Sequence, residues 1–103
     1  MCDYRTVAKV GEIPEGHGRA FEVAGRMIAV FNEGGKYYAI DDCCPHMGSS
    51  LADGRLEDGV VVCPDHAWRF SIHDGTWCDY RRQKIDCFDV RVEGDEIQVR
   101  VPS

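Results

Sequence analysis

The sequence predicts an all-β fold, and three observations carry that prediction. Apolar residues recur at every second position along most of the chain. The 11 glycines fall largely between those runs, where tight turns belong. The only helical candidate is a single turn near Ser49–Ala52. In chain order, Tyr4–Val10 reads as a strand ended by Gly11. Gly18–Val23 and Arg26–Asn32 flank the two-residue turn Ala24-Gly25, and Gly34-Gly35 leads into Lys36–Ile40. Val60–Cys63 and Trp68–Ile72 read as short strands, and Asp74-Gly75 turns the chain before Thr76–Cys78. The C-terminal pattern is the clearest. Phe88, Val90 and Val92 alternate with polar residues, Glu93-Gly94-Asp95 turns, and Ile97, Val99 and Val101 alternate again, a β-hairpin with one buried face.

At 103 residues the chain has the size of one domain. No repeat, linker or low-complexity tract divides it, so residues 1–103 are expected to form a single domain, with residues 41–79 inserted between framework strands. The longest apolar run, Met27 to Phe31, is far too short to span a bilayer, and no signal peptide is visible. A net charge of −6 argues against nucleic acid and against anionic membrane surfaces. Six Cys without an export signal point to the cytoplasm and to a metal or redox role rather than a disulfide framework.

The charge is unevenly placed. Residues 1–40 hold five acids and five bases, and residues 67–103 hold seven acids and six bases. Residues 41–66 hold Asp41, Asp42, Asp53, Glu57, Asp58 and Asp65 against Arg55 alone. The same quarter contains Cys43, Cys44, His46, Cys63 and His66. Two of its segments mirror each other: Cys44-Pro45-His46-Met47-Gly48 and Cys63-Pro64-Asp65-His66-Ala67. Each offers one thiolate and one imidazole, and each has Pro directly after Cys. Zinc sites of the Cys₂His₂ type usually pair Cys with Cys on one knuckle and His with His on a helix. Here each loop supplies one of each, which suits a two-iron cluster clamped from both ends. Cys43 also stands at C-x-x-H spacing from His46, but Cys44-Pro45 matches Cys63-Pro64, so Cys44 is the favoured ligand.

These residues resemble the Rieske iron–sulfur family. The likeness extends to Gly48, Leu51, Gly54 and the run Cys63-Pro64-x-His66-x-Trp68-x-Phe70 ending near Gly75. It implies a stack of small antiparallel sheets carrying an inserted cluster-binding subdomain. It also implies a Rieske [2Fe–2S] cluster held by Cys44, His46, Cys63 and His66. Two thiolates and two neutral imidazoles leave the cluster neutral when oxidised, which places Rieske centres at roughly −150 to +300 mV, above all-Cys ferredoxins. High-potential members carry a second Cys in each loop and hydroxyl donors to the cluster sulfurs. Ser49 and Asp65 stand where that disulfide would be, and Trp68 and Phe70 replace the hydroxyl residues, so a ferredoxin-type potential below about −50 mV is expected.

The resemblance implies a soluble, monomeric one-electron carrier between a flavin-dependent reductase and a terminal oxygenase, docking through the acidic cluster region. The alternative it leaves is the small subunit of an NAD(P)H nitrite reductase. Beyond the ligands the sequence offers no catalytic residues: no nucleophile with a paired base, no phosphate loop and no mononuclear iron triad. Cys2, Cys78 and Cys87 read as bystander thiols, His17 and His73 as loop histidines, and Trp68, Phe70 and Trp77 as packing that also shields the cluster. Arg81-Arg82-Gln83 stands where many relatives have a Pro-rich covering loop.

Overall fold

The computed structural model describes residues 2–23, 25–42, 50–64, 68–78 and 84–102. Among these described residues, ten strands form three antiparallel sheets. The first sheet contains β1 (Cys2–Lys9), β10 (Glu96–Pro102) and β9 (Val90–Glu93), in that order. The second has the order β2 (Gly18–Val23), β3 (Arg26–Glu33), β4 (Lys36–Asp41) and β8 (Cys87–Phe88). The third has β5 (Arg55–Glu57), β6 (Val60–Val62) and β7 (Arg69–Ser71). β4 and β8 pair at Ala39↔Phe88 and Ile40↔Cys87, so the third sheet lies in the chain between two strands that are neighbours.

The apolar run 28–31 is explained by burial on both faces of β3, while Met27 before it is exposed. Successive side chains of a strand point to opposite sides. Ala29 and Phe31 enter a core with Leu51, Val61, Phe70 and Ile72, while Ile28 and Val30 enter a second core with Ala8, Ile13, Ile97 and Val99. β4 divides in the same way, Ile40 to the first core and Ala39 to the second. The β3–β4 pair is therefore a partition, with the first sheet on one side and the third on the other. Gly18 lies where a Cβ would come 2.5 Å from the Phe31 ring, so the edge of this sheet closes over Phe31 only because residue 18 has no side chain.

Most expected strands are present, with differences that have local causes. The C-terminal run does not form one hairpin arm: Phe88 pairs with β4, Val90 pairs with β10, and the exposed Asp89 between them is where the chain changes sheet. Thr76–Cys78 contributes only isolated bridges, Phe70↔Trp77 and Thr76↔Lys84. The helical turn is a 3₁₀ turn at Leu51–Asp53. A strand the periodicity did not suggest, β5, pairs with β6 across Asp58-Gly59, both at positive φ (48° and 77°), the geometry of a tight two-residue hairpin turn.

The turn after β7 is held by Asp74, whose Oδ1 accepts the Thr76 backbone N–H at 2.9 Å. The Thr76 side chain and this N–H hold the Asp74 carboxyl below its usual value of 3.8. A carboxyl depressed in the folded state stabilises the fold above its unfolded value and loses that contribution as pH falls through the folded one. The neutral Asp74→Asn keeps an acceptor and loses the charge. The wild-type advantage in thermal midpoint over Asp74→Asn is expected at neutral pH and should vanish on acidification below 3.8.

Candidate metal centre

The expected first ligand loop, residues 43–49, lies outside the described residues, between the end of β4 and Ser50. Its neck is drawn shut by Asp42, which is 5% exposed although it is an acid. Asp42 Oδ1 accepts the Ser50 hydroxyl at 2.8 Å and the Ala52 backbone N–H at 2.9 Å, and the Asp42 carbonyl accepts Leu51 N–H at 2.7 Å. Asp42 N–H in turn donates to the Met27 carbonyl on β3. A buried carboxylate is tolerated only with such donors, and here they tie both ends of the loop together.

The second expected ligand loop follows β6. Cys63 is 1% exposed and shares its core with Leu51, Ala52, Val61 and Phe70. Its backbone N–H donates to the Trp68 carbonyl at 2.7 Å, which ties together the two residues that flank positions 64–67. Trp68 stacks on Trp77 with ring centroids 4.0 Å apart and an interplanar angle of 12°. The two loop necks are adjacent because Gly54 lies directly against the backbone carbonyl of Val62 and the Val61 side chain. A side chain at residue 54 would separate them.

Of the expected ligands, Cys63 is therefore placed, at the root of its loop and facing the shared core. Cys44, His46 and His66 lie outside the described residues, as do Cys43, Asp65 and Arg81-Arg82-Gln83. The donor chemistry fits a [2Fe–2S] unit: a buried soft thiol stands at one loop neck, and the other loop is tied beside it with a second Cys and a His in its sequence. Cys78 is half-buried and Cys87 exposed. His73 is more than a loop residue. Its ring stacks on Tyr38 of β4 at 4.5 Å, and Nε2 lies 3.2 Å from Glu33 Oε1 at the end of β3, which pins the third sheet to the partition.

The acid excess is not one surface. Asp42 is consumed inside the first neck. Asp41 faces Arg26, which also holds Asp86 at 2.7 Å and lies over the Phe88 ring. The Asp86 hydrogen bond leads the contacts that raise the Arg26 guanidinium above its usual range, against the opposing effect of burial. Asp53, Glu57 and Asp58 are exposed, with Glu57 3.1 Å from Arg55. Composition could not separate the buried acid from the exposed ones, since Asp41 and Asp42 are adjacent and identical.

Comparison with known proteins agrees with this geometry. The chain is 37% identical over 95 residues to the 3-phenylpropionate/cinnamic acid dioxygenase ferredoxin subunit of Escherichia coli K12, covering 90% of this chain and 89% of that one. The ferredoxin of carbazole 1,9a-dioxygenase from Nocardioides aromaticivorans IC177 superposes with a TM-score of 0.87 at 29% identity, covering 93% and 95% of the two chains. A candidate NADH-dependent nitrite reductase small subunit from Mycobacterium tuberculosis shares the fold, with a TM-score of 0.93 at 22% identity over 100% and 98%. The family model for the Rieske [2Fe-2S] domain matches residues 3–89, and the chain belongs to that family.

Proposed function

We propose that this chain is a soluble, low-potential Rieske ferredoxin, carrying single electrons from a flavin-dependent reductase to a terminal oxygenase. The observation that carries the reading is its 37% identity to a dioxygenase ferredoxin subunit across 90% of this chain and 89% of that one. The cluster belongs to the Rieske domain itself, and we assign its ligands as Cys44, His46, Cys63 and His66. When bound, it supplies a one-electron couple between a neutral and a −1 state. The chain's own residues do the rest. Asp42 and the Cys63–Trp68 hydrogen bond hold the loop necks, and Leu51, Phe70 and the two indoles keep water from the buried side.

Residues 1–103 act in this reading as one domain, with residues 41–79 as the inserted cluster-binding subdomain, and the protein works as a cytoplasmic monomer. No helix among the described residues is long and apolar enough to cross a membrane. Asp53, Glu57 and Asp58 are exposed acids that offer charge to basic patches on partners, Glu57 and Asp58 from the end of the β5–β6 hairpin opposite Cys63, and this attraction would speed encounter at low salt. A redox titration is expected to give a potential below about −50 mV, within the Rieske range. Reduction by a separate flavin reductase should slow as salt rises. A clearly positive potential would overturn the ferredoxin reading. Stable co-purification with a large flavin- and haem-containing partner would replace the free carrier by a nitrite reductase subunit, a protein of the same fold.

A further inference from the structure

Cys63 N–H donates to the Trp68 carbonyl and so ties together the ends of the second ligand loop. Trp68 thus marks where the loop ends, just beyond the last β6–β7 pair Val62↔Arg69, and the Trp77 stack adds a side-chain hold to that backbone pairing. The Trp68 ring lies face to face with Trp77, nearly parallel at 12°, and reaches Phe70 only in a tilted contact at 6.5 Å. Trp77 lies beyond the turn that follows β7 and is anchored on β7, the strand that starts just after Trp68. It forms a bridge with Phe70, and the Cys78 N–H beyond it donates to the Arg69 carbonyl at 2.7 Å. The chain reaches that position through the Asp74-Gly75 turn, where Ser71 N–H bonds to the Thr76 carbonyl and Gly75 N–H to the Ser71 carbonyl. Both indoles are half-buried against the core that contains Cys63.

We propose that Trp77 is a positioning residue for the cluster: stacked on Trp68, it holds the end of the Cys63 loop in place and keeps water off that side of the site. The proposal rests on the reading of Cys63 as a ligand. A fixed aromatic wall favours the neutral oxidised state over the charged reduced state, because water stabilises the added electron more than an indole face does. Ordinary core packing by Trp77 would affect stability alone. Positioning affects cluster retention and potential as well.

The test compares Trp77→Ala, Trp77→Phe and a core truncation remote from the loop, Ile97→Ala, in cluster-loaded protein. Three quantities are read: thermal midpoint, the rate at which the visible absorbance bleaches, and reduction potential. Trp77→Ala is expected to lose its cluster about tenfold faster, with a more positive potential. Trp77→Phe, which keeps an aromatic face, should restore most of both. Ile97→Ala should lower the thermal midpoint and leave the potential where it was. Should Trp77→Ala fail to fold, Trp77→Leu, which fills volume without stacking, takes its place with the same expectation. An unchanged potential in the non-aromatic variant, no rescue by Phe, or an equal shift in Ile97→Ala would each overturn the proposal. Wild-type protein that holds no cluster would instead defeat the ligand reading beneath it.

Discussion

Cys63→Ser protein is expected to purify colourless and monomeric, with near-complete loss of the visible iron–sulfur bands. The thiolate is the soft ligand that iron–sulfur clusters select, and a hydroxyl is a poor substitute. At 1% exposure Cys63 has no room to be replaced by solvent, so the position cannot be filled by a water ligand at low cost. Cys44→Ser should give the same colourless protein, and Cys43→Ser should stay red-brown. Visible absorbance and iron content per chain read all three. A coloured Cys44→Ser beside a colourless Cys43→Ser would move the first thiolate ligand to Cys43. A coloured Cys63→Ser would remove the ligand set.

Gly54→Ala is expected to cost about 2–3 kcal/mol and to deplete the cluster together with the fold. The backbone at residue 54 has φ −77°, which any residue adopts, so the cost is not conformational. It comes from the Val62 carbonyl, which occupies the place of a Cβ, with the Leu51 carbonyl close by at 3.1 Å. The 3₁₀ turn Leu51–Asp53 must retreat from β6 to make room, and that movement pulls apart the necks of the two ligand loops. Gly94→Ala is the comparison. It stands at φ 63° in open space, so only the left-handed backbone is penalised, at about 1–2 kcal/mol, and the cluster should be retained. Urea unfolding and absorbance per chain separate the two effects. Equal cluster content in both variants would show that the approach of residue 54 to β6 does not hold the site together.

Much of this architecture was legible because strand patterning reports burial directly. The double-sided run in β3 and the alternation at Ile97 and Val99 each state which face is covered. What periodicity could not report was the sheet to which a strand belongs. Cys87-Phe88 and Val90–Glu93 read as continuous because alternation does not register a change of partner at Asp89. β5 has three residues, too few for a pattern, and its signal was the turn Asp58-Gly59 rather than the strand itself. At the site, the repeated Cys-Pro and His spacing is what proposes the ligand types, and Cys63 is the one of them that lies among the described residues. The role of Asp42 was not legible, because a carboxylate that ties a loop neck looks, in sequence, like one that faces solvent. Trp77 was legible as packing that shields the cluster and His73 as a loop residue; their partners, Trp68, Tyr38 and Glu33, lie elsewhere along the chain.

The central claim is that two loops of this chain hold a [2Fe–2S] cluster with two thiolates and two imidazoles. The electron paramagnetic resonance spectrum of the dithionite-reduced protein tests it most directly. Histidine ligation at one iron lowers the average g-value relative to clusters held by four thiolates. A rhombic signal with that lowered average, lost in His46→Cys and His66→Cys, is the expected result. A signal with the average g of an all-Cys cluster, or a colourless protein carrying one zinc per chain, would contradict the account.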